Sequence, residues 1–140
     1  MKLDPIIIID DDEEDCELLK IGFQHLDIKN QLIVFNSSRD ALTYLQSFNG
    51  QVFFILCDIN MPVMDGITLR RKINENEALR FKSIPFLFLS TSGSEQVVNN
   101  AYSLNIQGYF KKPNSVKEIQ QILSRIISYW DTSYRPSITQ

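Results

Sequence analysis

Five short apolar runs punctuate an otherwise polar chain: Ile6 to Ile9, Leu32 to Phe35, Val52 to Cys57, Phe86 to Leu89, and the weaker Gly108-Tyr109-Phe110. Each has the length of a β-strand. The first, third and fourth are apolar at successive positions instead of alternating, as in strands covered on both faces by helices, and this predicts an internal parallel sheet. Between the runs, apolar residues recur at helical spacing: Leu18, Leu19, Gly22, Phe23 and Leu26; Ala41, Leu42, Leu45 and Phe48; Ile67, Leu69 and Ile73. Two further sets follow: Val97, Val98, Ala101 and Tyr102, then Val116, Ile119, Ile122, Leu123, Ile126, Ile127 and Trp130. Ser37 with Asp40, Ser92 with Glu95, and Ser115 with Glu118 have capping-box spacing and mark three helix starts. Strand and helix thus alternate five times, and right-handed crossovers turn that alternation into a three-layer, doubly wound α/β sheet. In such sheets ligands sit beyond the carboxyl ends of the strands, near the reversal of strand order.

At 140 residues the chain has room for one globular unit, and 44% apolar composition fills its core without a metal or disulfide staple. Fourteen basic residues against 17 acidic ones give a net charge of −3, so nothing favours nucleic acid or an anionic membrane surface. Cys16 and Cys57 lack metal-type spacing, and Cys57 ends an apolar run where a free thiol behaves as a small hydrophobe. The start, Met-Lys-Leu-Asp-Pro before four isoleucines, is too short for a signal peptide or a membrane span. A reducing, cytoplasmic location is the expectation. Asp131 to Gln140 are polar and include Pro136, which predicts a frayed tail.

Chemistry concentrates at the strand ends. The first strand runs into six consecutive acidic residues, Asp10 to Asp15. A generic acidic run is usually a solvated first helical turn that complements the helix dipole, but Asp10 and Asp11 follow four isoleucines of buried type and should stand at the sheet rim. The third strand ends the same way, at Asp58. If the first and third strands are neighbours, three carboxylates converge, repelling by up to ~4 kcal/mol per pair at about 4 Å and an effective dielectric near 20. A divalent cation with hard oxygen ligands is the natural offset, Mg²⁺ above all. Ser90-Thr91-Ser92 after the fourth strand offers hydroxyls, and Lys111-Lys112-Pro113 after the fifth offers an ammonium. Taken singly, such serines are usually helix caps and such lysines are usually solvated. Together on successive strand ends they form a phosphoryl-binding constellation.

These residues carry a family resemblance. Asp10-Asp11, the stretch Asp58-Ile59-Asn60-Met61-Pro62-Val63-Met64-Asp65-Gly66, Ser90, and Lys112-Pro113 resemble a bacterial response-regulator receiver domain of the stand-alone type. The likeness covers roughly residues 4 to 130, leaving 131 to 140 as a tail. It implies a (βα)5 flavodoxin-like fold with parallel strand order 2-1-3-4-5. It implies that Asp58 accepts a phosphoryl group from a sensor histidine kinase or a histidine phosphotransfer protein. Asp10, Asp11, Asp58 and the Asn60 backbone carbonyl would hold Mg²⁺, while Lys112 and Ser90 would contact phosphoryl oxygens. Ser90 and Tyr109 match the switch positions, with the readout face formed by the helix after the fourth strand, the fifth strand and the last helix. Gly66 has a backbone role, and the bond before Pro113 is expected to be cis, aiming Lys112 inward.

Thr91, Asn114 and Ser92 depart from the commonest receiver pattern, and they are expected to affect access of small phosphodonors, loop packing and phosphate lifetime respectively. Asn74 to Ser83 is slightly long, which predicts an extra turn before the fourth strand. With no output domain following, the signal is expected to leave by protein contact or phosphorelay, and the chain itself to have at most self-phosphorylation and self-dephosphorylation activity. Two other classes compete. A haloacid-dehalogenase-type phosphohydrolase would use Asp10 as nucleophile and Asp12 as acid/base, leaving Asp58 to Gly66 without a purpose; a pure binding module would not take phosphate at all. His25, the single histidine, reads as a surface residue, and Tyr129 and Trp130 as closing the last helix against the core.

Overall fold

The computed structural model describes residues 3–136. Within them, β1 (Ile6–Ile9), β2 (Leu32–Phe35), β3 (Phe54–Cys57), β4 (Phe86–Ser90) and β5 (Gly108–Lys111) form one parallel sheet in the order β2-β1-β3-β4-β5. The helices are α1 (Glu13–Gln24), α2 (Ser38–Ser47), α3 (Gly66–Glu75), α4 (Glu77–Lys82), α5 (Glu95–Tyr102) and α6 (Val116–Thr132). The short α4 is the extra turn that the length of residues 74–83 predicts.

The unbroken apolar runs are explained by two cores, one on each face of the sheet. Ile7, Ile9, Ile55, Cys57, Phe86 and Phe88 point to the side covered by α2, α3, α4 and α5. Ile6, Ile8, Phe54, Leu56, Leu87 and Leu89 point to the side covered by α1 and α6. Every residue of β1, β3 and β4 is therefore buried, the condition that favours parallel strands with helices on both faces. In its last turn α1 comes so close to α6 that a Cβ on Gly22 would lie 2.7 Å from Ile119.

Two of the three expected caps are in place: Ser37 accepts from the Asp40 N–H and Ser115 from the Glu118 N–H. The third is corrected. Ser94, not Ser92, caps α5, accepting from the Val97 N–H, so Glu95 stands at the first helical position and not at the third. Asp12, Asp65 and Asn76 are further N-caps.

The tail expectation also needs correction. α6 continues to Thr132, and the Arg135 guanidinium pairs with Asp4, donates to the carbonyls of Val52 and Phe53, and lies over the Phe53 ring. These contacts hold the segment as far as Arg135; residues 137–140, like Met1 and Lys2, lie outside the described part. Trp130 packs against the α1/α6 core as expected, whereas Tyr129 is 64% exposed and does not close it. His25, at the end of α1, is exposed. No helix among the described residues is long and apolar enough to cross a membrane.

Candidate functional site

The ladder sets the site by continuing one step past the strands. Ile9 pairs with Phe35 on one side and Cys57 on the other. The next residues keep the pattern, since the Asp10 N–H donates to Phe35 O and the Asp58 N–H to Ile9 O. Asp10 and Asp58 therefore emerge side by side at the carboxyl edge, where the order turns from β1 outward to β2 and to β3. One carboxylate oxygen from each of Asp10, Asp11 and Asp58 lies within 4.8 Å of the others. Asp10 and Asp58 are buried and Asp11 is exposed at the mouth.

Lys112 reaches the same point from β5. Its N–H donates to Ser90 O, extending the β4–β5 ladder by one residue. Its Nζ lies 2.8 Å from Asp10 Oδ2 and 3.2 Å from Asp58 Oδ2. The described residues contain no cis peptide bond, so the expected cis link before Pro113 is absent; the ammonium is aimed inward by the ladder and its ion pairs. Remaining carboxylate oxygens are held by backbone donors: Asp10 Oδ1 accepts from the Asp12 N–H and Asp58 Oδ1 from the Ile59 N–H, at 2.9 and 2.8 Å. Burial pushes the Asp10 carboxyl pKa up, and the hydrogen bonds from Lys112 and Asp12 offset part of that shift. Burial alone would lower the Lys112 pKa, but hydrogen bonds to Asp10 and Asp15 outweigh it, so the ammonium titrates above its ordinary value and stays charged.

Asp15 is the partner that sequence reasoning missed. Its Oδ2 lies 2.7 Å from Lys112 Nζ, the shortest of the three ion pairs. It was legible only as one acid in a run of six; its place on the helix, one turn from Asp12 and facing β5, is a tertiary fact. With Asp11 counted, four carboxylates face one ammonium. Three hard oxygen donors gathered within 4.8 Å, with more negative charge than one lysine can neutralise, fit a hard divalent cation.

The loop after β3 is built around backbone contacts. The Gly66 N–H donates to Ile59 O, and a Cβ on Gly66 would stand 2.2 Å from the Asp58 carbonyl oxygen, so a side chain is excluded there. The expected backbone role is thus a close approach. Between them Val63 has φ 69° while the Met64 N–H donates to Pro62 O, a γ-turn of the rare positive-φ form. Asn60 is exposed two residues beyond Asp58.

Ser90 is fully buried at the end of β4, and its Oγ accepts from the Ser92 N–H at 3.3 Å. Tyr109 is half-buried against the α2–α5 core, 6.0 Å from the Phe88 ring, and its hydroxyl donates to the Ser92 carbonyl. Thr91 and Asn114 are exposed at the rim. Asp12 is not one of the three clustered carboxylates, and its Oδ1 accepts from the N–H groups of Glu14 and Asp15 as the cap of α1, a structural use in place of the acid/base role of the hydrolase reading.

Known proteins share this fold. The chain is 29% identical over 129 residues to the "Probable methanogenesis regulatory protein FilR2" of Methanothrix harundinacea, covering 89% of this chain and 82% of that one. It is 28% identical over 130 residues to the response regulator Rcp1 of Synechocystis, covering 89% and 87%. The crystal structure of the phosphorylated cyanobacterial phytochrome response regulator RcpA superposes with TM-score 0.86 at 23% identity, over 97% of this chain and all of that one. The Mn²⁺-bound form of Rcp1 superposes with TM-score 0.81 at 27% identity, over 96% and 99%. The sequence profile of the response regulator receiver domain matches residues 6–124. A profile that runs from the first strand into the last helix leaves no strand of the sheet outside it, and the chain therefore belongs to the response regulator receiver domain family.

Proposed function

We propose that this receiver domain takes a phosphoryl group onto Asp58 from a phosphohistidine of a sensor histidine kinase or histidine phosphotransfer protein, with Mg²⁺ as cofactor, and signals onward by protein contact or phosphorelay. The observation that carries this reading is the juxtaposition of Asp58 with Asp10, Asp11 and the Lys112 ammonium at one strand edge. The Asp58 carboxylate forms a new P–O bond as the P–N bond of the phosphohistidine breaks; the imidazole nitrogen keeps the bonding pair and the product is an acyl phosphate. Asp10, Asp11, Asp58 and the Asn60 main-chain carbonyl are the residues that would hold the ion. Bound there, Mg²⁺ supplies charge neutralisation and alignment for the transferring group. The Ile59 N–H fixes one Asp58 oxygen and so orients the other. Lys112 donates to one phosphoryl oxygen and Ser90 to another.

The last contact makes a switch available, because a modification shifts an equilibrium only through contacts that differ between states. Ser90 and Tyr109 both bond Ser92, one to its N–H and one to its carbonyl. A movement of Ser90 toward phosphate releases the Ser92 N–H and loosens the anchor of the Tyr109 hydroxyl, coupling the site to the face of α5, β5 and α6. That related structures include a phosphorylated form of RcpA and a Mn²⁺-bound form of Rcp1 supports the same chemistry here. No nucleic acid or membrane partner is required, and the chain's own activity is limited to self-phosphorylation and self-dephosphorylation in the cytoplasm.

The test is mass spectrometry of the protein after incubation with Mg²⁺ and either acetyl phosphate or a panel of histidine kinases. One hydroxylamine-sensitive phosphoryl group on Asp58, lost in Asp58→Asn and on chelation of the metal, is the expected result. An adduct on Asp10 with steady ester hydrolysis, or no adduct from either donor, overturns the proposal.

A further inference from the structure

Asp15 has no part in the chemistry above, yet it makes the shortest contact to Lys112. The ammonium lies 2.7 Å from Asp15, 2.8 Å from Asp10 and 3.2 Å from Asp58. The ammonium hydrogen-bonds to Asp10 and Asp15 and pairs at longer range with Asp58. Two of the three, Asp10 and Asp58, also belong to the trio that fits a divalent cation; Asp15 does not. An ion entering that trio competes with the ammonium for the same two carboxylates. Asp15 is the partner that the ammonium keeps. Its position is fixed from α1, since the Asp15 N–H is bonded to the Asp12 cap, and the Lys112 side chain is only 11% exposed, where an ammonium without a counter-ion is costly.

We propose that Asp15 is a positioning residue: it holds the Lys112 ammonium at the α1 edge of the carboxylate cluster, so that a divalent ion can occupy Asp10, Asp11 and Asp58 without stranding a buried positive charge. This rests on the reading that the cluster binds Mg²⁺. Without Asp15, Lys112 must lean on Asp10 and Asp58 and becomes a resident competitor of the ion.

Isothermal titration of the whole chain with Mg²⁺ tests this, comparing the wild type with Asp15→Asn, Glu14→Gln, Lys112→Met and the Asp15→Asn/Lys112→Met double variant. Glu14 is exposed on the same turn, and its change removes an equal charge. Redistribution of a charge-assisted hydrogen bond predicts that Asp15→Asn raises the Mg²⁺ Kd about fivefold or more. Glu14→Gln should raise it less than about twofold, as for a screened surface charge. In the Lys112→Met background, Asp15→Asn should cost no more than Glu14→Gln does. Equal effects of Asp15→Asn and Glu14→Gln, or an undiminished loss without Lys112, overturn the inference. If Lys112→Met does not fold, salt decides: the Asp15→Asn loss should persist at ~1 M salt, where a diffuse field is screened out within about 3 Å, and its disappearance there overturns the inference. Failure of the wild type to bind Mg²⁺ overturns the proposed function instead, which keeps the two outcomes apart.

Discussion

Replacing Gly66 by alanine adds one methyl group at the point where α3 starts against the end of β3. The added Cβ would stand 2.2 Å from the Asp58 carbonyl oxygen, 3.0 Å from Ile59 Cα and 2.9 Å from the Phe88 ring. Two of those neighbours are backbone, so no side-chain rotation relieves the contact; either α3 or the end of β3 must move. In an open helical position the change would gain up to about 1 kcal/mol of helix propensity. Overpacking a filled site costs about 1–3 kcal/mol and occasionally more, and a backbone collision belongs at the upper end, so the net loss should be roughly 2 kcal/mol. For a domain of this size that lowers Tm by roughly 5–10 °C, interpolating between the usual shifts for smaller and larger domains. The assay is urea unfolding followed by fluorescence of Trp130, which is packed at the α1/α6 core. The midpoint should fall with the slope unchanged. Gly93→Ala is the matched control, because nothing lies within 4 Å of its added Cβ and its φ is not positive; it should be neutral or stabilising by up to about 1 kcal/mol. If Gly66→Ala unfolds at the same urea concentration as Gly93→Ala, the close-approach argument fails.

Val63→Asn should stabilise the fold by about 0.5–1 kcal/mol, since a 94%-exposed β-branched residue held at φ 69° gains no packing for its strain and asparagine tolerates that region better; calorimetry checks it. Ser94→Ala should cost about 0.5–1 kcal/mol in the same measurement while Ser92→Ala costs close to nothing, because only Ser94 caps α5. Lys112→Met should destabilise the metal-free protein by about 3–5 kcal/mol, the usual cost of leaving buried charge unpaired, and saturating Mg²⁺ should restore more stability to it than to the wild type. Burial pushes the Cys16 thiol from 9.0 up to about 11, so the folded chain holds that proton longer than the unfolded one. This contribution to stability is full below the unfolded thiol pKa and declines as pH rises through about 11, and urea midpoints that rise with pH across that window would contradict it.

The strands and the two-sided burial were readable because a hydrophobic run without alternation has few other uses in a chain of this length. The tips were readable for a related reason. Asp10 and Asp58 interrupt such runs abruptly, and parallel pairing carries the abrupt ends of neighbouring strands to one edge. Asp15 was not readable, because five other acids surround it and only the orientation of α1 separates it from Glu13 and Glu14. The α5 cap is ambiguous in the sequence since Ser92 and Ser94 are both serines and spacing to Glu95 favours the wrong one; the helix starts at Glu95, which leaves Ser94 as the residue that caps it. Strand order beyond neighbourhood came from the family likeness, since alternation alone does not fix it. Arg135 was hidden for the opposite reason: its partners are backbone carbonyls at residues 52 and 53, and a carbonyl leaves no mark on the sequence.

Several departures from good local design gather at one edge. Buried carboxylates held by a single ammonium, a β-branched residue at positive φ, and a glycine pressed against a carbonyl all lie within a few residues of the β1 and β3 tips. Away from that rim the caps, the packing and the helix faces agree with one another, including Arg70, whose buried guanidinium is spent on the carbonyls of Leu104 and Asn105 and the face of Phe86. Asp27, Ser83 and Asn105 also have positive φ, but Val63 is the β-branched member of that set, the type for which the conformation is most costly, and it stands in the loop after β3. The rim holds more carboxylates than the one Lys112 ammonium can neutralise, and a divalent ion at Asp10, Asp11 and Asp58, as proposed above, is the addition that would offset the excess.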